Sequence, residues 1–327
     1  MQHKKTMKKP VLGVTGATGT LGKRLVSMAI AAGWHVKCLA RNPASGGSET
    51  DHLEWVWGDI TQADSLVDFV QDLDAVVHLA AQVSDASAEE FNRVNVTGTG
   101  NLCEALMKHA PNCHLVYCSS IAVLRRYRHL TSFNTDYTQS KYHGELLVDD
   151  YRNRGLSVAY LYPGLIYGPE DHKLIPGLVS YLRKGQIFFL SGGERNAPLI
   201  YIDDICELVL QMIWESHSGD KYIGVGKQEL GIHEFINRLA DAVEVKRPSL
   251  KLPKHLLMPV AVIWEKLYQW LDKGKAPPLT RRAVDLLSIN IQPELVRDYN
   301  RDRWHGETSV EQGLKSALQW CRERELV

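Results

Sequence analysis

From Val11 to about Val158 the chain alternates short, β-branched apolar runs with longer segments of helical periodicity. VLGVTG, WHVKCLA, LEWVWGD, AVVHLAA, HLVYCSS and LSVAYLYPG read as strands, and the segments that begin near Gly19, Ala63, Glu89 and Tyr137 read as helices. Parallel neighbours need a crossover, and each crossover helix buries a face of the sheet. The alternation therefore predicts an α/β fold built on a doubly wound parallel sheet of Rossmann type.

The pattern changes after Pro163. Gly168-Pro169 ends the alternation, Ile175 to Lys184 reads as a helix bounded by Pro and Gly, and the loop SGGERNAP follows. APLIYIDDICELVLQMI and KYIGVG return to a strand, a helix and a further strand; from Gly231 onward the chain is mainly helical. These shifts predict a sheet domain over 11–165 rejoined by 197–226. They also predict a smaller, mainly helical substrate lobe from 166–196 and 227–327, laid over the carboxyl edge of the sheet. Residues 1–10 read as a frayed, flexible basic tail.

The run Leu256 to Trp264, LLMPVAVIW, is stopped after nine residues by Glu265-Lys266, whereas a transmembrane helix needs about 20 apolar residues. A buried or substrate-lining helix is the preferred reading, with interfacial contact through 255–271 as the lesser alternative. The 38 basic and 38 acidic residues cancel, so no global field favours nucleic acid or an anionic membrane. The six cysteines show no CxxC pair and nothing has metal-ligand spacing, which reads as reduced thiols in a cytoplasmic protein without a metal.

Chemistry enters with VTGATGTLG, where Gly16, Gly19 and Gly22 follow the first strand and open the first helix. The first glycine permits a tight turn, the second lets a pyrophosphate approach backbone N–H groups, and the third lets helix pack on strand. The helix N-terminus adds positive potential for the phosphates, so the segment predicts a dinucleotide site. At the end of the second strand, VKCLARNP places Ala40 and Arg41 where NAD enzymes carry an acid for the ribose 2′-hydroxyl. A missing acid and a present cation favour NADP over NAD. Asp59, in WGDI, is placed to accept from the adenine amino group or simply to cap the next turn.

DYTQSK sets Tyr137 and Lys141 four residues apart in a segment that reads as an amphipathic helix, so the two share a face. A phenol has a pKa near ~10, and a neighbouring ammonium pulls it towards neutrality, as proton transfer to a carbonyl requires. LVYCSSIAV ends in Ser119-Ser120 at the carboxyl edge of the sheet, where a serine can hold a substrate oxygen. The histidines, His78 in VVHLAA and His129 among them, read as packing or loop residues.

TGATGTLG, GDI, VVHLAA, NVTGTGNLCEA, SSIAV, YTQSK, YPGLIYGPED, YIDDI and TSVEQGLKSALQW resemble, in order and spacing, the extended short-chain dehydrogenase/reductase superfamily, also called the NAD-dependent epimerase/dehydratase family. The resemblance implies Ser120, Tyr137 and Lys141 as a catalytic trio, with Lys141 also holding the nicotinamide ribose. It implies that Gly16, Thr18, Gly19, Thr20, Leu21, Gly22, Arg41, Asp59 and Ile60 surround NADP or NAD, together with Leu79, Ala80, Ala81, Asn95, Pro163 and Ile166. It further suggests a homodimer through helices of the Rossmann domain.

Departures narrow the branch. Nucleotide-sugar enzymes of the family usually carry RP, and an Arg six residues before the VDD equivalent that contacts the diphosphate; here stand Tyr162-Pro163 and Ala197, with Arg195 as the only substitute nearby. The chain is thus closer in pattern to the 3β-hydroxysteroid dehydrogenase and dihydroflavonol reductase-like groups, which act on apolar alcohols and ketones. An oxidoreductase of a small apolar substrate is the leading expectation. The alternatives are a nucleotide-sugar epimerase/dehydratase with tightly bound NAD and a non-catalytic dinucleotide-binding protein.

Overall fold

The computed structural model describes residues 10–42, 50–83, 86–127, 135–191, 196–226, 230–271, 284, 293–300, 304 and 306–327. Two compact units emerge, one from the chain up to Gly164 together with Ile202–Gly224, the other from Leu165–Tyr201 together with the chain from Val225.

The first unit is a seven-stranded parallel sheet. In chain order its strands are β1 (Val11–Thr15), β2 (His35–Ala40), β3 (Leu53–Trp57), β4 (Ala75–His78), β5 (His114–Cys118) and β6 (Ser157–Pro163), and Lys221–Gly224 closes one edge. Their spatial order is 3-2-1-4-5-6 followed by Lys221–Gly224, so the chain reverses direction across the sheet between β1 and β4. That reversal opens a crevice at the carboxyl ends of the two strands. All five residues of β1 and all four of β4 are buried, as strands covered on both faces must be.

The helices of this unit are α1 (Thr20–Ala31), the short α2 (Val67–Val70), α3 (Ala88–Asn92), α4 (Thr99–His109), α5 (Ile121–Tyr127) and α6 (Asp136–Asn153). Helix α3 runs into α4 through a π-helical turn, Arg93–Gly98. Helix Ile202–Glu215 returns to pack on α1, where the Arg24 guanidinium grips the Asp203 carboxylate through two bonds of 2.5 and 2.7 Å and the Trp34 and Trp214 rings meet at 4.8 Å.

The second unit holds two small parallel sheets. In one, β7 (Leu165–Tyr167) pairs with β9 (Leu199–Tyr201); in the other, β8 (Phe189–Leu190) pairs with Lys251–Leu252. Helices α7 (Leu174–Arg183), α8 (Ile202–Glu215, of the first unit), α9 (Ile232–Ala242), α10 (Lys254–Trp270), α11 (Pro293–Asn300) and α12 (Val310–Glu323) complete the described chain. Fully buried Phe235 meets the Tyr167 ring at 5.3 Å in this unit's core.

Two expectations need correction. The segment 197–226 does not rejoin the main sheet at Ala197: Leu199–Tyr201 pairs with Leu165–Tyr167, so the chain re-enters the first unit only at Ile202. A three-residue apolar run carries no mark of which sheet it will join. Nor is α10 buried all round: Leu257 and Ala261 pack on Leu190 and Val284, but Leu256, Val260 and Ile263 face outward. Among the described residues no helix is long and apolar enough to cross a membrane. Arg195, His129 and residues 1–9 lie outside the described residues.

Candidate active site at the sheet crevice

The glycine loop leaves β1 at the reversal point. Gly16 adopts φ +72°, and a Cβ there would stand 2.7 Å from the Ala80 backbone nitrogen; one on Gly22 would collide with the Gly16 carbonyl oxygen. The loop thus lies flat on Leu79-Ala80 in a way only glycine allows. Gly19 N–H donates to Gly16 O at 3.0 Å, while Thr18, Gly19 and Thr20 stay exposed at the tip. The first turn of α1 leaves N–H groups without partners inside the helix, at its positive end. A glycine-rich cradle of backbone at such a terminus fits a pyrophosphate, the middle of a dinucleotide.

A buried hydrogen-bond chain locks this loop to its neighbours. Thr99 donates its hydroxyl proton to Asn95 O at 2.8 Å, so it accepts from His78 Nε2 at 3.1 Å. His78 Nδ1 is then the acceptor for the Thr15 hydroxyl at 2.7 Å, and Thr15 Oγ1 accepts from Ala80 N–H at 3.2 Å. Burial, with help from the Lys141 charge, pushes the His78 pKa down to about 3. His78 is a neutral strut joining β1, β4 and α4, in keeping with a packing role.

Asn95, buried on the π turn, carries the linkage to α6. Its carbonyl oxygen accepts from Gln82 N–H at 2.8 Å, and its amide donates to Gln82 O and to Ser140 Oγ, both at 2.9 Å. Ser140 in turn donates to the carbonyl of Tyr137 at 2.8 Å. The start of α6 is fixed by the Thr135 side chain, which accepts from Thr138 N–H at 3.2 Å.

On α6 the Tyr137 ring is half-buried beside Phe91, centroids 6.1 Å apart. One turn on, Lys141 is buried and donates from Nζ to Cys118 O at 2.6 Å, at the carboxyl end of β5, while its ammonium stands 4.9 Å from the Tyr117 ring centroid. Burial pulls the Lys141 pKa below the usual lysine range, and the Glu145 carboxylate acts against that pull. The helix therefore carries its ammonium to the strand end that bears Ser119 and Ser120.

The two serines divide. Ser119 donates to Glu145 Oε2 at 2.5 Å, so it is turned into the structure. Ser120 Oγ accepts from Ala122 N–H at 3.3 Å at the start of α5. A cap of that kind occupies one lone pair and leaves the hydroxyl proton to donate elsewhere. Glu145 also accepts from Tyr162 Oη at 2.5 Å and sits 3.5 Å from Lys221 Nζ. The spacing arguments missed this wholly buried carboxylate. Its one sequence signal is that α6 buries Thr138, Ser140, Lys141 and Glu145 on a face that amphipathic periodicity would fill with apolar residues.

The remaining positions are placed as follows. Arg41 is exposed just beyond β2, close enough to Glu90 for its charge to lower that carboxyl's pKa, behind the larger effect of Arg93. Asp59 Oδ1 accepts from the Thr61 N–H at 2.8 Å and hydroxyl at 2.9 Å, so it caps the turn after β3. Ile60 is buried beneath Gly98, Leu21 and Ala81 are half-buried, and Pro163 ends β6. Ile166 belongs to the second unit, paired with Ile200 on β9. Tyr162 is wholly buried on Glu145, and Ala197 is buried with its N–H on Leu230 O.

The family model described as "NAD dependent epimerase/dehydratase family" matches residues 12–226. The 3beta-hydroxysteroid-dehydrogenase/decarboxylase isoform 1 of Arabidopsis thaliana is 26% identical over 93% of this chain and 78% of its own. The 2-alkyl-3-oxoalkanoate reductase of Stenotrophomonas maltophilia is 26% identical over 92% of this chain and 96% of its own. In fold, the crystal structure of the Bordetella bronchiseptica enzyme WbmG in complex with NAD superposes with a TM-score of 0.74 at 18% identity, covering 99% of this chain and 97% of that one.

Proposed function

The chain belongs to the NAD dependent epimerase/dehydratase family, and from that premise we propose that it is an oxidoreductase moving a hydride between a nicotinamide cofactor and the carbonyl or secondary alcohol of a small apolar substrate. The observation that carries this reading is the buried Lys141 ammonium held at the end of β5, one helical turn from a half-buried Tyr137. Reduction of a ketone needs a proton at the oxygen as a hydride reaches the carbon. The bound dinucleotide supplies the hydride. Tyr137 Oη supplies the proton, and the nearby ammonium favours the phenolate that remains. Ser120, with its proton free to donate, orients the substrate oxygen. Lys141 serves a second purpose by holding the nicotinamide ribose.

Gly16 to Gly22 hold the pyrophosphate, and Arg41, exposed where an acid would favour NAD, supports NADP as the preferred cofactor. The names of the plant and bacterial relatives state a hydroxyl or oxo group on a steroid or alkyl frame, which supports an apolar substrate. Position 162 carries a tyrosine committed to Glu145 rather than an arginine for a diphosphate. Steady-state assays of a panel of ketones and secondary alcohols with both cofactors test the reading. Turnover of apolar ketones with NADPH ahead of NADH is expected. Micromolar binding of UDP-sugars with a copurifying NAD, and no net redox turnover, would establish the epimerase reading instead. Arg41→Asp is expected to reverse the cofactor preference, read as the ratio of kcat/KM for NADPH and NADH; an unchanged ratio would place the 2′-phosphate site elsewhere.

A further inference from the structure

Helix α10 leaves one face uncovered. Leu256, Val260, Ile263, Leu267, Trp270 and Leu271 are all exposed, Ile263 to 64% and Trp270 to 81%. At about 100° per residue the five on the helix fall within an arc of about 80°, a stripe about 21 Å long, and Leu271 follows directly after it. The opposite side, with Leu257 and Ala261, packs on Leu190 and Val284. Glu265, the acid on the helix, projects about 180° from Leu256. The uncovered face is thus apolar from end to end, wider and more continuous than scattered surface leucines.

The surrounding charge is not that of the whole molecule. Over residues 245–284, Lys and Arg outnumber Asp and Glu nine to two, and no acid occurs from Val245 to Trp264, although the full chain is neutral. Cations flank both ends of the stripe in sequence, Lys251 and Lys254 before it and Lys266, Lys273 and Lys275 within its last turns or after it. This disfavours a second copy of the chain as occupant: in a two-fold contact each patch meets its own kind, so either helix orientation sets lysines against lysines. An anionic lipid surface complements both features, taking the leucine and isoleucine side chains below its headgroups, the indole at the boundary and the ammoniums against phosphates.

We propose that α10 is an in-plane docking element by which this protein binds the surface of an anionic phospholipid bilayer, without spanning it. The test uses the full chain, cosedimented with vesicles of phosphatidylcholine alone and with added phosphatidylglycerol, alongside sedimentation velocity to read self-association. Binding to the anionic vesicles that weakens with salt is expected. The double variant Ile263→Ser/Trp270→Ser should lower the partition coefficient at least about tenfold, and Lys251→Gln/Lys266→Gln by about fivefold per lysine, each with unchanged circular dichroism. Absence of wild-type binding to anionic vesicles at low salt would overturn the proposal. So would wild-type affinity in the folded Ile263→Ser/Trp270→Ser variant. A wild-type dimer that the serine variant dissociates, with no vesicle binding by either protein, would assign the face to a second copy instead.

Discussion

Glu145 is the residue on which most of the site's polar order converges. It is wholly buried, accepts hydroxyl protons from Ser119 and Tyr162, and faces the Lys221 ammonium. Hydrogen bonds to a charged acceptor contribute about 1.5–3 kcal/mol, and breaking a buried network leaves groups unsatisfied. Glu145→Gln, which keeps the volume but turns an acceptor into a donor, is expected to lower stability by about 2–3 kcal/mol in urea unfolding. A loss below about 0.5 kcal/mol would mean that the three donors find other partners. His78 gives a pH signature of known sign. Burial, with the Lys141 charge behind it, pushes its pKa from the ordinary histidine value of 6.5 down to about 3 in the folded protein. Its contribution is therefore complete above the unfolded pKa and lost as pH falls from there towards the folded one. Between pH 6.5 and 5 that loss is about 2 kcal/mol. His78→Gln should unfold with a shallower dependence on pH over this window, measured as urea midpoints.

Between elements, the Arg24–Asp203 fork ties α1, which carries the glycine loop on its N-terminus, to α8. Both side chains are partly exposed, so the tie contributes about 1 kcal/mol. Arg24→Ala and Asp203→Asn should each cost about that much, and the double variant little more, in a thermodynamic cycle read by urea unfolding. The elements themselves were legible where local chemistry sufficed. Strands β1 to β6 were marked by short apolar runs between helical segments, and the glycine loop by its place between a strand and a helix. Leu199–Tyr201 was not legible, because a three-residue strand takes its partner from tertiary context. Helix α10 was visible as apolar, but periodicity cannot say which part of a largely apolar helix meets the core and which meets solvent.

Across the whole molecule, sequence spacing identified the parallel sheet and placed a glycine loop and a YxxxK segment on it, because both obey local rules. It missed Asn95–Ser140, Thr15–His78–Thr99 and Glu145, which hold those residues in place, because each joins side chains from elements distant in the chain. Tyr162 shows the same limit: its bond to Glu145 joins β6 to α6 and carries no mark in the local sequence. The central claim is that Tyr137 moves a proton in a net redox reaction at this crevice. Its most direct test is Tyr137→Phe, assayed by reduced-nicotinamide absorbance on the best ketone substrate, with cofactor affinity measured by titration on the same preparation. We expect kcat to fall at least about a hundredfold while cofactor affinity stays within a factor of about two. Turnover retained near the wild-type rate would contradict the claim.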